Sequence, residues 1–171
     1  ETSFNMFGRA AWDSMGMRQR LGLGSAALFV ENSRVTSNMI YSGIFDRCPR
    51  LKVVSVESGI GWIPFVLESI DYEWEETGAQ LEVNLQKKPS EYFRDHFWGC
   101  FWFEKVAPRY LIDVIGEDNV LFETDFPHPT CLYPDVQGYI AEVSADWSET
   151  RKRKILQDNA AQLYGVELPG A

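Results

Sequence analysis

The clearest indication of the fold is the stretch of residues 51–61, LKVVSVESGIG. It begins with a run rich in valine, which is typical of a strand buried on both faces of a parallel sheet. It ends with glycines, which allow a sharp turn and leave room for a ligand near the backbone. The stretch therefore predicts a buried parallel strand that places Glu57 at its carboxyl end.

Two further strands are predicted later in the chain. Residues 97–103, FWGCFWF, are almost entirely aromatic, which fits a second buried strand, and Gly99 indicates a close approach of another group. Residues 119–124, NVLFET, predict a third strand that ends at Asp125. Helices are predicted over residues 25–45, 62–76, 91–96, 106–115, 135–145 and 148–165, and loops over residues 1–24 and 77–90.

This alternation of strands and helices predicts a parallel sheet with helices packed on its face. An open doubly wound sheet and an arc of a (β/α)8 barrel both fit the order, and hydrophobic periodicity does not distinguish them. In either architecture the functional groups lie at the carboxyl ends of the strands. The predicted strand ends carry Glu57, Glu104 and Asp125, and His128 follows three residues after Asp125.

The composition of the 171-residue chain excludes several classes of protein. It carries 25 acidic against 16 basic residues, a net charge of −9, which argues against nucleic-acid binding through phosphates. Hydrophobic residues make up 45% of the sequence, so the chain is globular rather than disordered. No apolar run reaches the roughly 18 residues that a membrane-spanning helix needs. Three widely spaced cysteines, Cys48, Cys100 and Cys131, predict buried reduced thiols in a cytoplasmic protein.

Each candidate side chain has a functional and a structural interpretation. Asp125, where a buried strand opens into a loop, fits a metal ligand or a proton acceptor, but aspartate at such a place also commonly caps a turn. Glu57 fits a catalytic carboxylate that a ligand can reach, or one half of an ion pair with lysine or arginine. His128, held between two prolines, fits a ligand, a proton shuttle or a substrate contact, or a loop histidine without a role.

Other features favour a structural interpretation. His96 belongs to the short helix before the second strand, and the aromatic residues 98–103 fit an interior and an interface better than a stacking platform. The basic block at residues 151–154, in an acidic chain, indicates a solvated helix face. The sequence lacks the motifs of dinucleotide-binding and phosphate-binding loops, of serine hydrolases and of HExxH metalloproteases.

Three segments together resemble one known family. They are residues 51–64, LKVVSVESGIGWIP, residues 121–129, LFETDFPHP, and residues 159–165, NAAQLYG. In this order they are similar to the C-terminal part of the amidohydrolase-related proteins, which are metal-dependent TIM-barrel hydrolases and nonoxidative decarboxylases. The resemblance implies an α/β fold in which the three strands are the sixth, seventh and eighth of a (β/α)8 barrel.

The resemblance also implies roles for individual residues. Asp125 occupies the place of the family's aspartate at the end of the last strand, which is a metal ligand or the acid/base beside the metal. Glu57 stands where many members have histidine, so its role as ligand, substrate contact or proton donor stays open. From its place between two prolines rather than from the resemblance, His128 is a candidate for catalysis and, with Trp62, for substrate binding. The implied cofactor is a divalent metal, zinc. The many aromatic residues near the predicted site suit a small aromatic or cyclic substrate.

Two reactions would suit such a site. Metal-activated water would attack a carbonyl or lactone carbon, or a protein acid would protonate the carbon that loses CO₂. The family's His-x-His of the first strand and its histidine of the fifth do not occur in this sequence, which contains two histidines. A barrel takes about 250 residues, so residues 1–171 are expected to be its C-terminal portion, inactive alone. Residues 1–50 are expected to be the long loop and helix between the fifth and sixth strands.

Three strands cut from a barrel would leave two unpaired edges. The chain is therefore expected to form a homo-oligomer, with residues 97–103 near the interface. One alternative function is a non-catalytic barrel fragment that serves as a structural or interaction module. Another is an open α/β binding protein, which requires a chain that is complete and monomeric.

Overall fold

The computed structural model describes residues 12–168. The strands are short and lie among helices of four to 25 residues. In chain order the elements are α1 Met17–Tyr41, α2 Ile44–Arg47, β1 Val53–Ser55, α3 Ile63–Glu76, α4 Pro89–His96, β2 Phe97–Phe101, α5 Ala107–Tyr110, α6 Ile112–Ile115, β3 Val120–Phe122, α7 Val136–Val143, α8 Glu149–Arg153 and α9 Asn159–Tyr164. A π-helical turn, Lys154–Asp158, joins α8 to α9, and 3₁₀ turns cover Ala79–Leu81 and Glu117–Asn119.

The three strands form one parallel sheet in the order β1-β2-β3. Ser55 of β1 lies opposite Gly99 of β2, and Phe101 of β2 lies opposite Phe122 of β3. The prediction of three parallel strands separated by helices is therefore confirmed. Because all three strands point the same way, Glu57 and Asp125 both follow the carboxyl edge of this sheet.

Gly99 lets a helix and its preceding turn pack directly on the central strand. A Cβ built at Gly99 would lie 2.7 Å from Cδ1 of Ile63 and 3.0 Å from Cγ2 of Ile60. Both isoleucines are fully buried. The close approach predicted at this glycine is therefore confirmed, and it fixes α3 against β2.

One cluster of buried apolar side chains joins the sheet to the helices. Within the predicted aromatic strand, Phe97, Phe101 and Trp102 are at most 3% exposed, whereas Phe103 is 41% exposed. Phe97, Phe101 and Trp102 therefore pack in the core of this chain. An oligomer interface near residues 97–103 stays a prediction, and Phe103 is the most exposed aromatic side chain of this segment. The largest fully buried side chains of the core are Phe45, Phe93, Phe97, Phe101, Ile40, Ile60, Ile63, Ile112, Ile115, Ile155, Val120 and Val143.

The first helix differs most from the sequence-based expectation. Residues 1–24 were expected to form a loop, but α1 begins at Met17, and the first eleven residues lie outside the described part. Glycine costs about 1 kcal/mol in a helix, which a long helix tolerates once it is nucleated. The helical spacing of Leu28, Val35 and Ile40 predicts that all three lie on one buried face. Ile40 is fully buried as predicted, but Leu28 and Val35 are about half exposed.

Smaller corrections concern one helix and the thiols. The single helix predicted over residues 106–115 is divided into α5 and α6, although it ends at Gly116 as predicted, where φ is 108°. The three cysteines are free. The predicted burial is confirmed for Cys100 and is wrong for Cys48, which is exposed, and for Cys131, which is half-buried. Within residues 12–168 no helix is both long and apolar enough to cross a membrane.

Candidate functional site

The two candidate carboxylates share an unusual backbone conformation. Glu57, after β1, has φ of 55°, and Asp125, after β3, has φ of 57°. They are the two non-glycine residues with positive φ within residues 12–168. Such a conformation costs about 1–3 kcal/mol and persists where the surrounding structure enforces it, often at functional sites. The fold therefore holds both predicted carboxylates in strained turns at the same edge of the sheet.

Asp125 is brought together with His128. The Asp125 side chain is 9% exposed, and its Oδ2 lies 3.1 Å from Nδ1 of His128. The turn is closed by the backbone N–H of His128, which donates to the carbonyl of Asp125 at 2.8 Å. Within the described part, no backbone N–H donates to the Asp125 carboxylate, so this side chain does not cap the turn.

Glu123 is a third carboxylate at this edge, and it was missed in the sequence. Its Oε1 accepts the backbone N–H of Glu57 at 2.7 Å. Burial raises the pKa of Glu123 to about 7, the N–H of Glu57 opposes that rise, and the nearby carboxylates of Glu57 and Asp125 add to it. Its one sequence signal was a glutamate inside an otherwise apolar strand, two residues before Asp125.

Glu123→Gln is expected to make the stability of the metal-free chain less dependent on pH. The pKa of Glu123 rises from 4.5 to about 7 on folding, so between these values the folded chain binds more protons than the unfolded one. The stabilising contribution is therefore complete at acid pH and is lost as the pH rises through about 7. Glutamine stays neutral and still accepts the N–H of Glu57.

Urea unfolding in the presence of a chelator, at about pH 5.5 and about pH 8, measures this difference. The wild-type chain should lose more stability than Glu123→Gln between the two values. Glu82→Gln changes an exposed carboxylate and serves as the control. An equal pH dependence in wild type and Glu123→Gln would contradict the assignment.

Glu57 and Trp62 occupy the loop between β1 and α3. The Glu57 side chain is exposed, and within residues 12–168 no lysine or arginine forms an ion pair with it. The indole N–H of Trp62 donates to the carbonyl of Gly59 at 3.1 Å, and its half-buried ring packs against the core. The loop thus presents the Glu57 carboxylate at the edge, while the polar atom of Trp62 is used inside the loop. The substrate-binding role of Trp62 stays a prediction.

His96 and the basic block have structural surroundings. His96 is buried, its Nδ1 lies 2.9 Å from the carbonyl of Leu51, and its ring stacks on Phe45 at 4.5 Å. It lies at the amino end of β2, away from the candidate carboxylates. Each basic side chain of residues 151–154 forms an ion pair with a carboxylate, for example Lys154 with Asp118 at 2.8 Å. These pairs leave no unpaired positive patch in that block.

The described residues offer two side chains of the kinds that bind metal ions. Asp125 offers a carboxylate, and His128 offers an imidazole nitrogen beside it. Within residues 12–168, however, no group of three histidine, cysteine, aspartate or glutamate side chains is arranged to hold a metal ion. Catalytic metal sites commonly use three protein ligands, so a metal bound at Asp125 requires ligands from outside these residues.

Three decarboxylases are similar to this chain. A 2-amino-3-carboxymuconate-6-semialdehyde decarboxylase of Dictyostelium discoideum is 31% identical over 135 residues, which cover 76% of this chain and 35% of the relative. The crystal structure of a 5-carboxyvanillate decarboxylase from Sphingomonas paucimobilis is 34% identical, with a TM-score of 0.65 and coverage of 81% of this chain and 41% of that one. A dihydroxybenzoic acid decarboxylase from Polaromonas sp. JS666, with bound manganese and the inhibitor 2-nitroresorcinol, shares the fold at 24% identity and a TM-score of 0.63, with 81% and 41% coverage.

These similarities extend over most of this chain and less than half of each relative. The chain spans about a third to two fifths of the length of the relatives. The sequence profile of the amidohydrolase family matches residues 21–166, which include all three strands and both candidate carboxylates. The chain therefore belongs to the amidohydrolase family.

Proposed function

We propose that residues 1–171 are the C-terminal portion of a metal-dependent decarboxylase that acts on a small aromatic acid. The main support is the pairing of a nearly buried Asp125 carboxylate with His128 at the end of β3, beside the strained Glu57. Family membership and the decarboxylases among the relatives favour this reaction over hydrolysis. In this proposal β1, β2 and β3 are the sixth, seventh and eighth strands of the barrel.

The negative charge at this edge of the sheet favours the binding of a divalent metal ion. Glu57, Glu123 and Asp125 lie together and would repel the carboxylate of an aromatic acid. A bound divalent cation would offset that charge and polarise the substrate oxygens. Asp125 is the proposed ligand from this chain. Zinc, expected from the family resemblance, and manganese, which the Polaromonas structure contains, are the two metals to test.

The protein residues would manage the proton. In decarboxylation, the bond between the ring carbon and the carboxyl carbon breaks, CO₂ leaves, and the electron pair stays on the ring carbon. A protein acid then donates a proton to that carbon. Asp125 and His128, 3.1 Å apart, form the pair that can move this proton, and Glu57 is the second carboxylate within the same edge. Trp62 and His128 are the proposed contacts to the substrate.

The proposal is tested on the longest natural polypeptide that contains residues 1–171. We expect the purified protein to release CO₂ from hydroxylated benzoic acids, to lose this activity with a chelator, and to regain it with Mn²⁺ or Zn²⁺. The methyl ester of the same acid is the control, because it cannot lose CO₂. Ester or lactone hydrolysis without CO₂ release would favour a hydrolase, and activity unaffected by chelation would contradict the metal.

The open edges of the sheet suggest more chain around this portion. In the described part, β1 and β3 each pair on one side, and the buried indole N–H of Trp102 has no acceptor. Buried donors without partners are rare in folded proteins. We propose that further barrel strands cover these edges in a cytoplasmic enzyme, and that the 171-residue chain alone would cover them by self-association.

A further inference from the structure

The loop between β1 and α3, residues 57–62, is held by side chains from three other parts of the fold. Nδ2 of Asn32, in α1, donates to a loop hydroxyl at 2.6 Å. Glu123 accepts the backbone N–H of Glu57 at 2.7 Å. The third contact comes from Glu104, three residues after β2. A loop fixed on three sides can keep Glu57 at its positive φ, which a free loop would relax.

Glu104 binds this loop through two hydrogen bonds. Its Oε2 accepts the backbone N–H of Ile60 at 2.8 Å, and its Oε1 accepts that of Gly61 at 2.7 Å. Hydrogen bonds to an ionised carboxylate are about twice as strong as neutral ones. Burial raises the pKa of Glu104, and these two N–H groups oppose the rise. The carbonyl of Glu104 is fixed as well, because the hydroxyl of Tyr139 in α7 donates to it at 2.5 Å.

The glycines of the loop leave the space that the Glu104 carboxylate fills. A Cβ at Gly59 would lie 2.6 Å from Cδ of Glu104, and one at Gly61 would lie 2.9 Å from its Oε1. Gly59 has φ of 68°, which favours glycine by itself, but Gly61 lies outside the left-handed region. The need for glycine at position 61 therefore comes from the carboxylate and not from the backbone.

We infer that Glu104 is a positioning residue, which fixes residues 57–62 so that Glu57 stays at the carboxyl edge beside Glu123 and Asp125. Both oxygens of Glu104 are bonded to the loop backbone, so it acts through the loop. The inference rests on the proposed function, since that reaction uses Glu57 at this edge. It adds a carboxylate from the end of the central strand to the site.

Amide hydrogen exchange on the 171-residue chain tests the contact without any assay of activity. In Glu104→Gln, one of the two N–H groups meets an NH₂ group and loses its acceptor. Of the amides of Ile60 and Gly61, the one that loses its acceptor is expected to exchange about tenfold faster, while those of β2 change much less. Gly61→Ala, whose Cβ would displace Oε1, should reproduce the effect at Ile60.

Asp71→Asn is the matched control. Oδ1 of Asp71 also accepts a distant backbone N–H, that of Ser90 at 2.8 Å, but at the start of α4. This variant removes the charge but keeps an oxygen that can accept the N–H of Ser90, so exchange at Ser90 should change little and exchange at Ile60 and Gly61 should not change. Unaltered exchange in Glu104→Gln, or equal acceleration along the whole chain, would overturn the inference.

Kinetics of the intact protein separate positioning from stability. Glu104→Gln is expected to lower kcat by about 10–100-fold with KM within about threefold, because misplacement of a reacting group affects the chemical step. Asp71→Asn should leave both constants unchanged. Faster loop exchange with unchanged kcat would overturn the positioning role. An inactive wild-type protein would count against the proposed function, and the exchange result would then decide the contact by itself.

Discussion

Replacing Asp125 with asparagine is expected to lower kcat of the intact protein by about 10²–10⁴-fold, the usual contribution of a positioned acid or base. Asparagine keeps the size of the side chain but removes its negative charge and its ability to take a proton. The carboxylate is only 9% exposed and its Oδ2 lies 3.1 Å from Nδ1 of His128, so water cannot readily replace it. Metal content should fall in the same variant. Steady-state kinetics and elemental analysis of the purified protein measure both effects.

Asp135→Asn provides the control for Asp125. It changes a carboxylate of the same connection, where Asp135 caps α7 by accepting the N–H of Gly138 at 3.1 Å. Asparagine is an equally good N-cap, so this variant should keep its stability, its metal and its kcat. An Asp125→Asn protein that retains wild-type metal content and kcat would contradict the assignment of Asp125.

The largest expected effect on stability is that of Phe101→Ala. Phe101 is fully buried on the central strand and packs against Phe122 and Trp147, with ring centroids 5.4 Å and 6.2 Å away. Removal of a buried phenylalanine side chain typically costs about 3–5 kcal/mol, from lost transfer energy and the remaining cavity. Since a domain is stable by about 5–15 kcal/mol in total, the variant should be close to unfolding. Urea unfolding of the chain measures the loss.

Phe103→Ala is the matched control for the core substitution. It removes the same side chain two residues further along, where the ring is 41% exposed but still stacks on Phe29 at 4.7 Å. We expect a loss of roughly 1 kcal/mol or less, because little of its surface is withdrawn from water. Equal losses in the two variants would show that Phe101 is not central to the core.

The strands were predictable because their signals are local. The valine run before Glu57, the aromatic run around Gly99 and the apolar run before Asp125 each mark a buried strand, and β1, β2 and β3 lie within them. The N-cap at Ser148 and the glycine at position 165, which has φ of 66°, likewise bound the last helical segment as predicted. Backbone preferences of this kind depend on a few neighbouring residues.

The start of α1 and the burial of its side chains were not predictable in this way. Periodicity indicated that Leu28, Val35 and Ile40 face the core, but of these three Ile40 alone is buried, and Thr36 is buried beside it. Which stripe of a helix is buried depends on the surface it meets, and that surface comes from distant parts of the chain. The aromatic segment shows the same limit, since only the tertiary structure shows that Phe97, Phe101 and Trp102 are buried while Phe103 is 41% exposed.

The residues of the candidate site likewise fall into two groups, those that the sequence predicts and those that only the structure reveals. Asp125, Glu57 and His128 could be named from the sequence because strand ends in a parallel sheet share one edge. Glu123 and Asn32 could not, since their contacts with the 57–62 loop join residues more than 20 positions apart in the chain. Glu104 was named as a strand-end carboxylate, but its two bonds to Ile60 and Gly61 depend on the register of β1 against β2.

The sequence alone thus determined the parallel α/β architecture, the family and the carboxylates at the strand ends, because these follow from short runs of residues and their order. Only the tertiary structure decided how those carboxylates are held: Asp125 beside His128, Glu57 in a strained turn, and Glu104 bonded to the loop. Hydrogen bonds require atoms to meet within about 3 Å. For residues distant in sequence, the packing of helices on the sheet sets those distances.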